Sequence, residues 1–351
     1  MQSKTLAAIV IVVILVAGVG AIVILGPLLF PSAPRVAIVF ATGGLGDKSF
    51  NDAAFKGAVD FRTAYGWNFS YAEPTQISEY EGFLRDYAAH EGRAAYDIII
   101  AIGFDQNEAL YSVAVDYPNQ SFAIVDMFNN HTSNVASLLF NANEGSALVG
   151  AIAGLMTKTD KIGFVGGMDI PLINEFAAGY RFGANYTNDG IPVSIQYTGS
   201  WVDTTAGQTL ANGMYAAGND IIFAAAGRSG LGVFTSAKTL NGTEGYDNPL
   251  WVIGVDSPQM YLGCEDPDHP APPTVSLTSM LKRVDVAVFN TIKEVYDGVF
   301  TGGAKVFKLS NGGVDYEVNT ALLTLPTEVT TAVAALKAAI IAGTVTVPTA
   351  L

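Results

Sequence analysis

Cysteine is almost absent from this sequence, because Cys264 is the only one among its 351 residues. A single cysteine excludes an intrachain disulfide and a cysteine-based metal cluster. The three histidines are scattered and lack metal-ligand spacing. We therefore expect neither a metal nor another cofactor. We also find no positioned acid, base or nucleophile that would predict an enzyme.

Basic residues are scarce as well. The sequence has 18 Lys and Arg against 32 Asp and Glu, which gives a formal net charge of −14. An acidic surface without a basic stripe repels the phosphate backbone, so no nucleic-acid partner is expected. The charge balance itself indicates a soluble surface and no particular function.

Charge is missing altogether from Thr5 to Phe30, a segment dominated by Ala, Val, Ile and Leu. As a helix this segment would be about 39 Å long, enough to cross a hydrocarbon core of about 30 Å. A cleaved signal peptide is the alternative, but the apolar run continues beyond the candidate cleavage site Ala17–Ala21. We expect residues 1–34 to contain a transmembrane helix that anchors an extracytoplasmic domain to the cell membrane.

Short β-branched runs alternate with longer amphipathic stretches after the linker Pro31–Pro34. The candidate strands are Arg35–Ala41, Asp97–Ile102, Phe122–Asp126, Val135–Phe140, Lys161–Val165, Val193–Tyr197, Asp220–Ala225, Trp251–Val255 and Val275–Ser279. Their largely continuous apolar character is typical of strands that are buried on both faces. The alternation predicts an α/β fold of parallel sheets covered by helices on both sides.

One arrangement occurs twice in the chain. A strand beginning at Asp97, a glycine-containing turn and a helix lead to a strand that ends at Asp126, and the same series runs from Asp220 to Asp256. Two equivalent lobes would explain this repetition. Because open parallel sheets bind ligands at the carboxyl ends of their strands, Asp126 and Asp256 are predicted to share a cleft. Alternatively, they are helix caps or turn residues.

A set of short motifs follows the first strand in a fixed order. The motifs are Gly43–Asn51 with the pattern Gly-Gly-x-x-Asp-Lys-Ser-Phe-Asn, then Lys161–Met168, Gly199–Trp201, Ile253–Asp256 and Thr278–Arg283. The set resembles the basic membrane protein family of substrate-binding proteins of ABC transporters, which includes purine nucleoside receptor A. The resemblance covers residues 35–351.

The resemblance implies a type I periplasmic-binding-protein fold, with two doubly wound parallel-sheet lobes joined by three crossovers. Lobe 1 would comprise residues 35–141 plus 257–302, and lobe 2 residues 142–256 plus 303–351. A monomer is expected for this architecture.

The family also implies a binding site for a purine nucleoside. Its members hold the base between one aromatic side chain from each lobe, and the matching residues are Phe50 and Trp201, the latter often Phe in the family. Asp126, Asp256 and Lys282 match positions that contact ribose or base. Stacking tolerates different bases, and an ionised carboxylate accepts from adjacent hydroxyls. The alternatives are core packing at the helix start for Phe50, a plug on the lobe surface for Trp201, and charge neutralisation for the lysine.

Four further residues are candidates for ligand contact. Gly227 would allow the backbone to approach the sugar, and Asn51 can both donate to and accept from a purine edge. Asp47 and Ser49 lie in the same motif, where Asp47 could instead cap the following helix. Gly46 stands where many relatives have an acid, so the motif does not define the preferred base.

These residues predict the extracytoplasmic binding component of an ABC importer, with a purine nucleoside as ligand and membrane permease subunits as partners. A receptor for a sugar or another small polar ligand, or a surface sensor without transport, remains open. A nucleoside hydrolase would need an aspartate-rich calcium site, which the sequence lacks. The Gly43–Gly46 loop lacks the spacing of a nucleotide-phosphate loop.

Overall fold

The computed structural model describes residues 35–92, 95–129, 133–243 and 249–351. The expected membrane segment Thr5–Phe30 lies outside these residues. Among the helices that are described, none is long and apolar enough to cross a membrane.

Strands and helices alternate along the described chain. The strands are β1 (Val36–Val39), β2 (Phe69–Ala72), β3 (Ile98–Ile102), β4 (Phe122–Val125), β5 (Val135–Phe140), β6 (Ile162–Gly166), β7 (Val193–Tyr197), β8 (Ile221–Ala225), β9 (Trp251–Asp256), β10 (Ser276–Lys282), β11 (Gly303–Phe307) and β12 (Val314–Tyr316). The α-helices are α1 (Phe50–Tyr65), α2 (Tyr80–Ala88), α3 (Asn107–Asp116), α4 (Ala142–Met156), α5 (Pro171–Thr187), α6 (Thr204–Ala216), α7 (Leu231–Thr243), α8 (Val284–Tyr296) and α9 (Thr327–Ile341).

The strands form two six-stranded sheets. The first has the order β11-β5-β4-β3-β1-β2, and all of its pairs are parallel. The second has the order β12-β10-β9-β8-β6-β7 and is parallel except for β12, which runs antiparallel to β10. The central strands are fully buried runs of Val, Ile, Phe and Ala, as expected for sheets that are covered on both faces.

Helices cover both faces of each sheet. In the first lobe, α1 and α8 pack on one face, and α2 and α3 on the other. In the second lobe, α4, α5 and α9 cover one face, and α6 and α7 the other. One buried apolar cluster includes residues of both sheets, so the two lobes share part of their core. The structure thus has the α/β class and the two parallel-dominated sheets that the sequence predicts.

The chain passes between the sheets three times: after β5, after β10 and after β11. The expected lobe boundaries differ from the sheet membership in two places. The strand β10 pairs with β9 in the second sheet, although residues 257–302 were expected in lobe 1. The strand β11 pairs with β5 in the first sheet, although residues 303–351 were expected in lobe 2. By sheet membership, the described parts of 35–141 and 283–307 go with the first sheet, and those of 142–282 and 308–351 with the second.

Candidate functional site

A cavity lies between the lobes, at the carboxyl ends of strands from both sheets. The loops after β1, β3 and β4 line it from the first lobe, and the ends of β8, β9 and β10 line it from the second. The space between the lining atoms, including the open mouth, is about 720 Å³.

Asp126 and Asp256 occupy equivalent places in the two lobes. Asp126 directly follows β4, and Asp256 is the last residue of β9. Both have left-handed backbone conformations, with φ of 68° and 63°. Outside glycine this conformation is adopted mainly by Asn and Asp, whose short side chains tolerate it. The repeat seen in the sequence thus places a carboxylate of the same geometry on each side of the cavity.

Lys282 forms an ion pair with Asp126 across the two lobes. The pair is buried, with side-chain exposures of 3% and 4%. The ammonium group also lies 4.8 Å from the ring centre of Phe50, 5.1 Å from that of Phe140 and 5.6 Å from that of Phe176. Cation–π attraction helps to offset the loss of hydration. Asp126 Oδ1 is buried and has no hydrogen-bond partner among the described residues.

Asp256 is buried beside the same lysine. Its Oδ2 accepts a hydrogen bond of 2.6 Å from the Ser49 hydroxyl of the opposite lobe. Burial raises the pKa of Asp256 to about 6, against the opposing effects of Lys282 and of the Ser49 hydrogen bond. Ser49 itself does not line the cavity and is connected to it through Asp256.

Asp47 lines the cavity, but its carboxylate is hydrogen-bonded to the backbone at the start of α1. Its carboxylate accepts from the backbone N–H groups of Ser49, Asn51 and Asp52 at 2.9, 2.8 and 3.2 Å. Burial raises the pKa of Asp47, and these three donors partly oppose that rise. The Asn51 side-chain oxygen accepts from the backbone of Ala41 at 3.1 Å. The capping role that the sequence allowed for Asp47 is therefore present.

Two aromatic residues line the cavity from opposite lobes. Phe50 is the first residue of α1 in the first lobe. Trp201 of the second lobe packs flush against Gly167, where a Cβ atom would lie 2.3 Å from the indole ring. The ring also lies 3.8 Å from the Cβ position of Gly227, a residue with φ of 56°. Only glycine fits both the close approach at 167 and the left-handed backbone at 227 without strain.

Hydrogen bonds join the two rims of the cavity. Arg228 donates through Nη2 to the carbonyl of Leu45 at 2.6 Å. Gln259 donates to the carbonyl of Lys48 at 2.8 Å, and the Ser257 hydroxyl to that of Ser49 at 3.0 Å. With the pairs Lys282–Asp126 and Ser49–Asp256, these contacts hold the lobes together around the cavity.

Residues 35–350 match the family of PnrA-like substrate-binding proteins of ABC transporters. The chain belongs to this family. The family consists of substrate-binding proteins rather than enzymes.

Several relatives of this substrate-binding protein are similar over most of its length. The ABC transporter nucleoside-binding protein BmpA of Lactococcus lactis is 36% identical, over 90% of this chain and 89% of that protein. An uncharacterised lipoprotein of Pyrococcus abyssi is 35% identical, over 80% of this chain and 68% of that protein. Basic membrane protein A of Borreliella burgdorferi is 32% identical, over 84% and 82%.

Solved structures share the fold. A solute-binding protein of an ABC transporter system from Aeropyrum pernix is 30% identical, with a TM-score of 0.78 over 90% of this chain and 93% of that one. A solute-binding protein from Burkholderia graminis, solved in complex with D-arabinose, has a TM-score of 0.61 over 82% and 96% but is 18% identical, so it shows the fold alone.

The structure brings the site residues predicted from the sequence to one place. Eight of them line the cavity: Asp47, Phe50, Asn51, Asp126, Trp201, Gly227, Asp256 and Lys282. Ser49 is the exception and touches Asp256 instead. Their contact with a ligand stays a prediction.

Sequence reasoning missed other residues that line the cavity. Asp105 and Arg228 are polar, and Phe104 and Phe176 are two further aromatic residues of the lining. Asp105 follows β3, and Arg228 follows β8, so the rule that ligands bind at strand ends could have identified both. In the described residues, no group of three or more His, Cys, Asp or Glu is placed to hold a metal ion.

Proposed function

We propose that this substrate-binding protein captures a purine nucleoside in the cavity between its lobes and presents it to the permease of an ABC importer. In this proposal the N-terminal segment Thr5–Phe30 tethers the lobes to the outer face of a cell membrane. The name of the Lactococcus lactis relative, a nucleoside-binding protein, supports the choice of ligand.

One observation carries the proposal. A single cavity holds an aromatic side chain from each lobe, Phe50 and Trp201, together with the strand-end carboxylates Asp126 and Asp256. Aromatic faces suit a flat base, and the free acceptor Asp126 Oδ1 suits a ribose hydroxyl. A sugar alone would use the carboxylates but would gain less from two aromatic side chains on opposite walls.

The test is isothermal titration calorimetry on the full-length chain in detergent. The panel is inosine, guanosine, adenosine, cytidine, uridine, ribose and arabinose. We expect purine nucleosides to bind, and Trp201→Ala to weaken them about 5- to 150-fold through lost stacking. Trp67→Ala is the matched control, because Trp67 packs against Arg35 and Phe61 of the first lobe and does not line the cavity.

Binding of sugars without nucleosides would retain a receptor role and discard the nucleoside. Equal losses in the Trp201 and Trp67 variants would contradict the stacking role of Trp201. Release of free base from inosine during the titration would contradict a pure binding protein.

A further inference from the structure

Arg228 is a cationic side chain that lines the cavity, and not all of its N–H groups have a hydrogen-bond acceptor. Its Nη2 donates to Leu45 of the opposite lobe, but its Nε is buried and has no acceptor among the described residues. Within that part of the chain it forms no ion pair either. A buried charged donor without an acceptor costs free energy, so its presence at the cavity wall points to an acceptor supplied by a ligand.

Asp105 offers an acceptor on the opposite lobe. Its Oδ2 accepts a hydrogen bond of 3.0 Å from the Tyr80 hydroxyl, whose oxygen in turn accepts from the backbone N–H of Thr42 at 3.0 Å. Because the tyrosine proton is directed at Oδ2, the carboxylate is fixed in orientation as an acceptor. Burial raises the pKa of Asp105.

Each of these polar groups lies beside one of the two aromatic side chains. A Cβ atom on Gly103 would lie 3.0 Å from Asp105 Oδ1 and 4.0 Å from the Phe50 ring. Arg228 directly follows Gly227, whose Cβ position lies 3.8 Å from the Trp201 ring. A base between the aromatics would therefore meet an acceptor from the first lobe and a charged donor from the second.

We propose that Arg228 and Asp105 make the site selective for 6-oxopurine nucleosides, inosine and guanosine, over adenosine. This inference rests on the proposed function. A 6-oxopurine carries the acceptor O6 next to the donor N1–H, so Arg228 donates to O6 and Asp105 accepts from N1–H. Adenosine has an amino group in place of O6 and an unprotonated N1. The amino N–H of adenosine then faces an N–H of Arg228, and the lone pair of its N1 faces the Asp105 carboxylate.

The charge of the cavity argues against a phosphate as the partner of Arg228. Four carboxylates, Asp47, Asp105, Asp126 and Asp256, line the cavity together with two cationic side chains. Lys282 is already paired with Asp126. A nucleotide would add negative charge to this acidic lining, whereas O6 is a neutral acceptor.

The experiment is calorimetric titration of the full-length chain in detergent with inosine, guanosine, adenosine and inosine monophosphate. We expect inosine and guanosine to bind about 10-fold or more tightly than adenosine, and the monophosphate more weakly than inosine. Arg228→Met should reduce the ratio of inosine to adenosine affinity about 10-fold. Asp105→Asn should reduce the same ratio, since an amide N–H can donate to N1 of adenosine.

The ratio of inosine to adenosine affinity is the readout. Loss of the Arg228–Leu45 hydrogen bond alone would weaken the binding of all nucleosides by the same factor and leave this ratio unchanged. Arg181→Met, on the exposed side of α5, should leave the ratio unchanged. Equal wild-type affinity for inosine and adenosine, tighter binding of the monophosphate, or an unchanged ratio in both variants would overturn the selectivity while leaving nucleoside binding in place. Failure of every nucleoside to bind would overturn the proposed function as well. The affinities of the wild-type protein for inosine and adenosine test the selectivity even if a variant fails to fold.

Discussion

Asp256 shows how one buried side chain links the binding site to the stability of the protein. Its carboxylate has Ser49 and Lys282 as favourable neighbours, but Asp126 and Asp47 add negative charge nearby. Loss of hydration outweighs the favourable contacts, so its pKa rises from an ordinary 3.8 to about 6. The folded protein therefore holds this proton more tightly than the unfolded chain does.

Stability should fall as Asp256 ionises. An acid with a higher pKa in the folded state stabilises the fold at low pH, and this contribution is lost as pH rises from its unfolded to its folded value. For Asp256 that window runs from 3.8 to about 6. Asp256→Asn removes the effect, so the variant should gain about 2–3 kcal/mol relative to wild type between pH 4 and pH 8.

Urea unfolding of both proteins at the two pH values measures this gain. Asp60→Asn, on the exposed surface of α1, controls for the general loss of one negative charge. A difference between Asp256→Asn and wild type that does not change with pH would show that folding does not raise the pKa of Asp256.

At the scale of elements, α4 and α5 pack with their backbones in contact. Glycines at 150 and 154 on α4, and at 179 and 183 on α5, allow this approach. A Cβ on Gly183 would lie 1.9 Å from the carbonyl oxygen of Ala147, and one on Gly150 2.1 Å from that of Tyr180. Spacings of four residues place each pair of glycines on one helix face.

Gly183→Ala should destabilise the protein by about 1–3 kcal/mol, because the added methyl group must push the two helices apart. Gly213→Ala in α6 is the matched control, since nothing lies within 4 Å of its Cβ position. There the better helix propensity of alanine should make the change neutral, or stabilising by up to about 1 kcal/mol. Thermal and urea unfolding compare the two. Equal effects would mean that helix propensity alone determines the outcome.

The sequence predicted buried elements better than peripheral ones. All nine candidate strands exist, with shifts at their ends, whereas β2, β11 and β12 were not anticipated. These three strands are sheet edges, and their half-exposed residues lack a continuous apolar run. Which sheet β10 joins was also missed, because alternation of strands and helices does not reveal contacts between distant segments.

The site residues could be predicted where a local sequence pattern marks them and not elsewhere. The residues of the motif 43–51 are close in sequence, and the strand ends at Asp126 and Asp256 repeat one pattern. Asp105 and Arg228 lie in short turns after β3 and β8, where the strand-end rule marks the region but no local motif marks the residue. Their significance lies in the aromatic rings beside them, which come from other parts of the chain.

At the scale of the whole molecule, hydrogen bonds between the lobes also occur outside the cavity. The Ser257 hydroxyl of the second lobe donates to the Ser49 carbonyl of the first, and Ser257 does not line the cavity. A ligand that contacts both lobes binds best when the lobes are together, so it favours the same arrangement as this hydrogen bond. Contacts outside the cavity can thus change affinity without touching the ligand.

Ser257→Ala should weaken nucleoside binding about 2- to 10-fold, the net value of one hydrogen bond, by making closure less favourable. The radius of gyration without nucleoside, measured by small-angle scattering, should increase. Ser236→Ala is the matched control, because the Ser236 hydroxyl donates to Asn212 within the second lobe. If both variants change affinity equally, the effect reflects general destabilisation rather than closure.

The strand order has a consequence for the path of the ligand. All three crossings leave from strands at the same side of the two sheets, β5, β10 and β11. Lys282 ends β10 there, whereas Trp201 contacts Gly167 after β6, three strands away, or about 14 Å. A rotation about the crossings moves the Lys282–Asp126 pair little and separates Trp201 from the loop at Gly43 most. We therefore expect the Lys282–Asp126 pair to stay together and the ligand to enter and leave between Trp201 and the loop at Gly43.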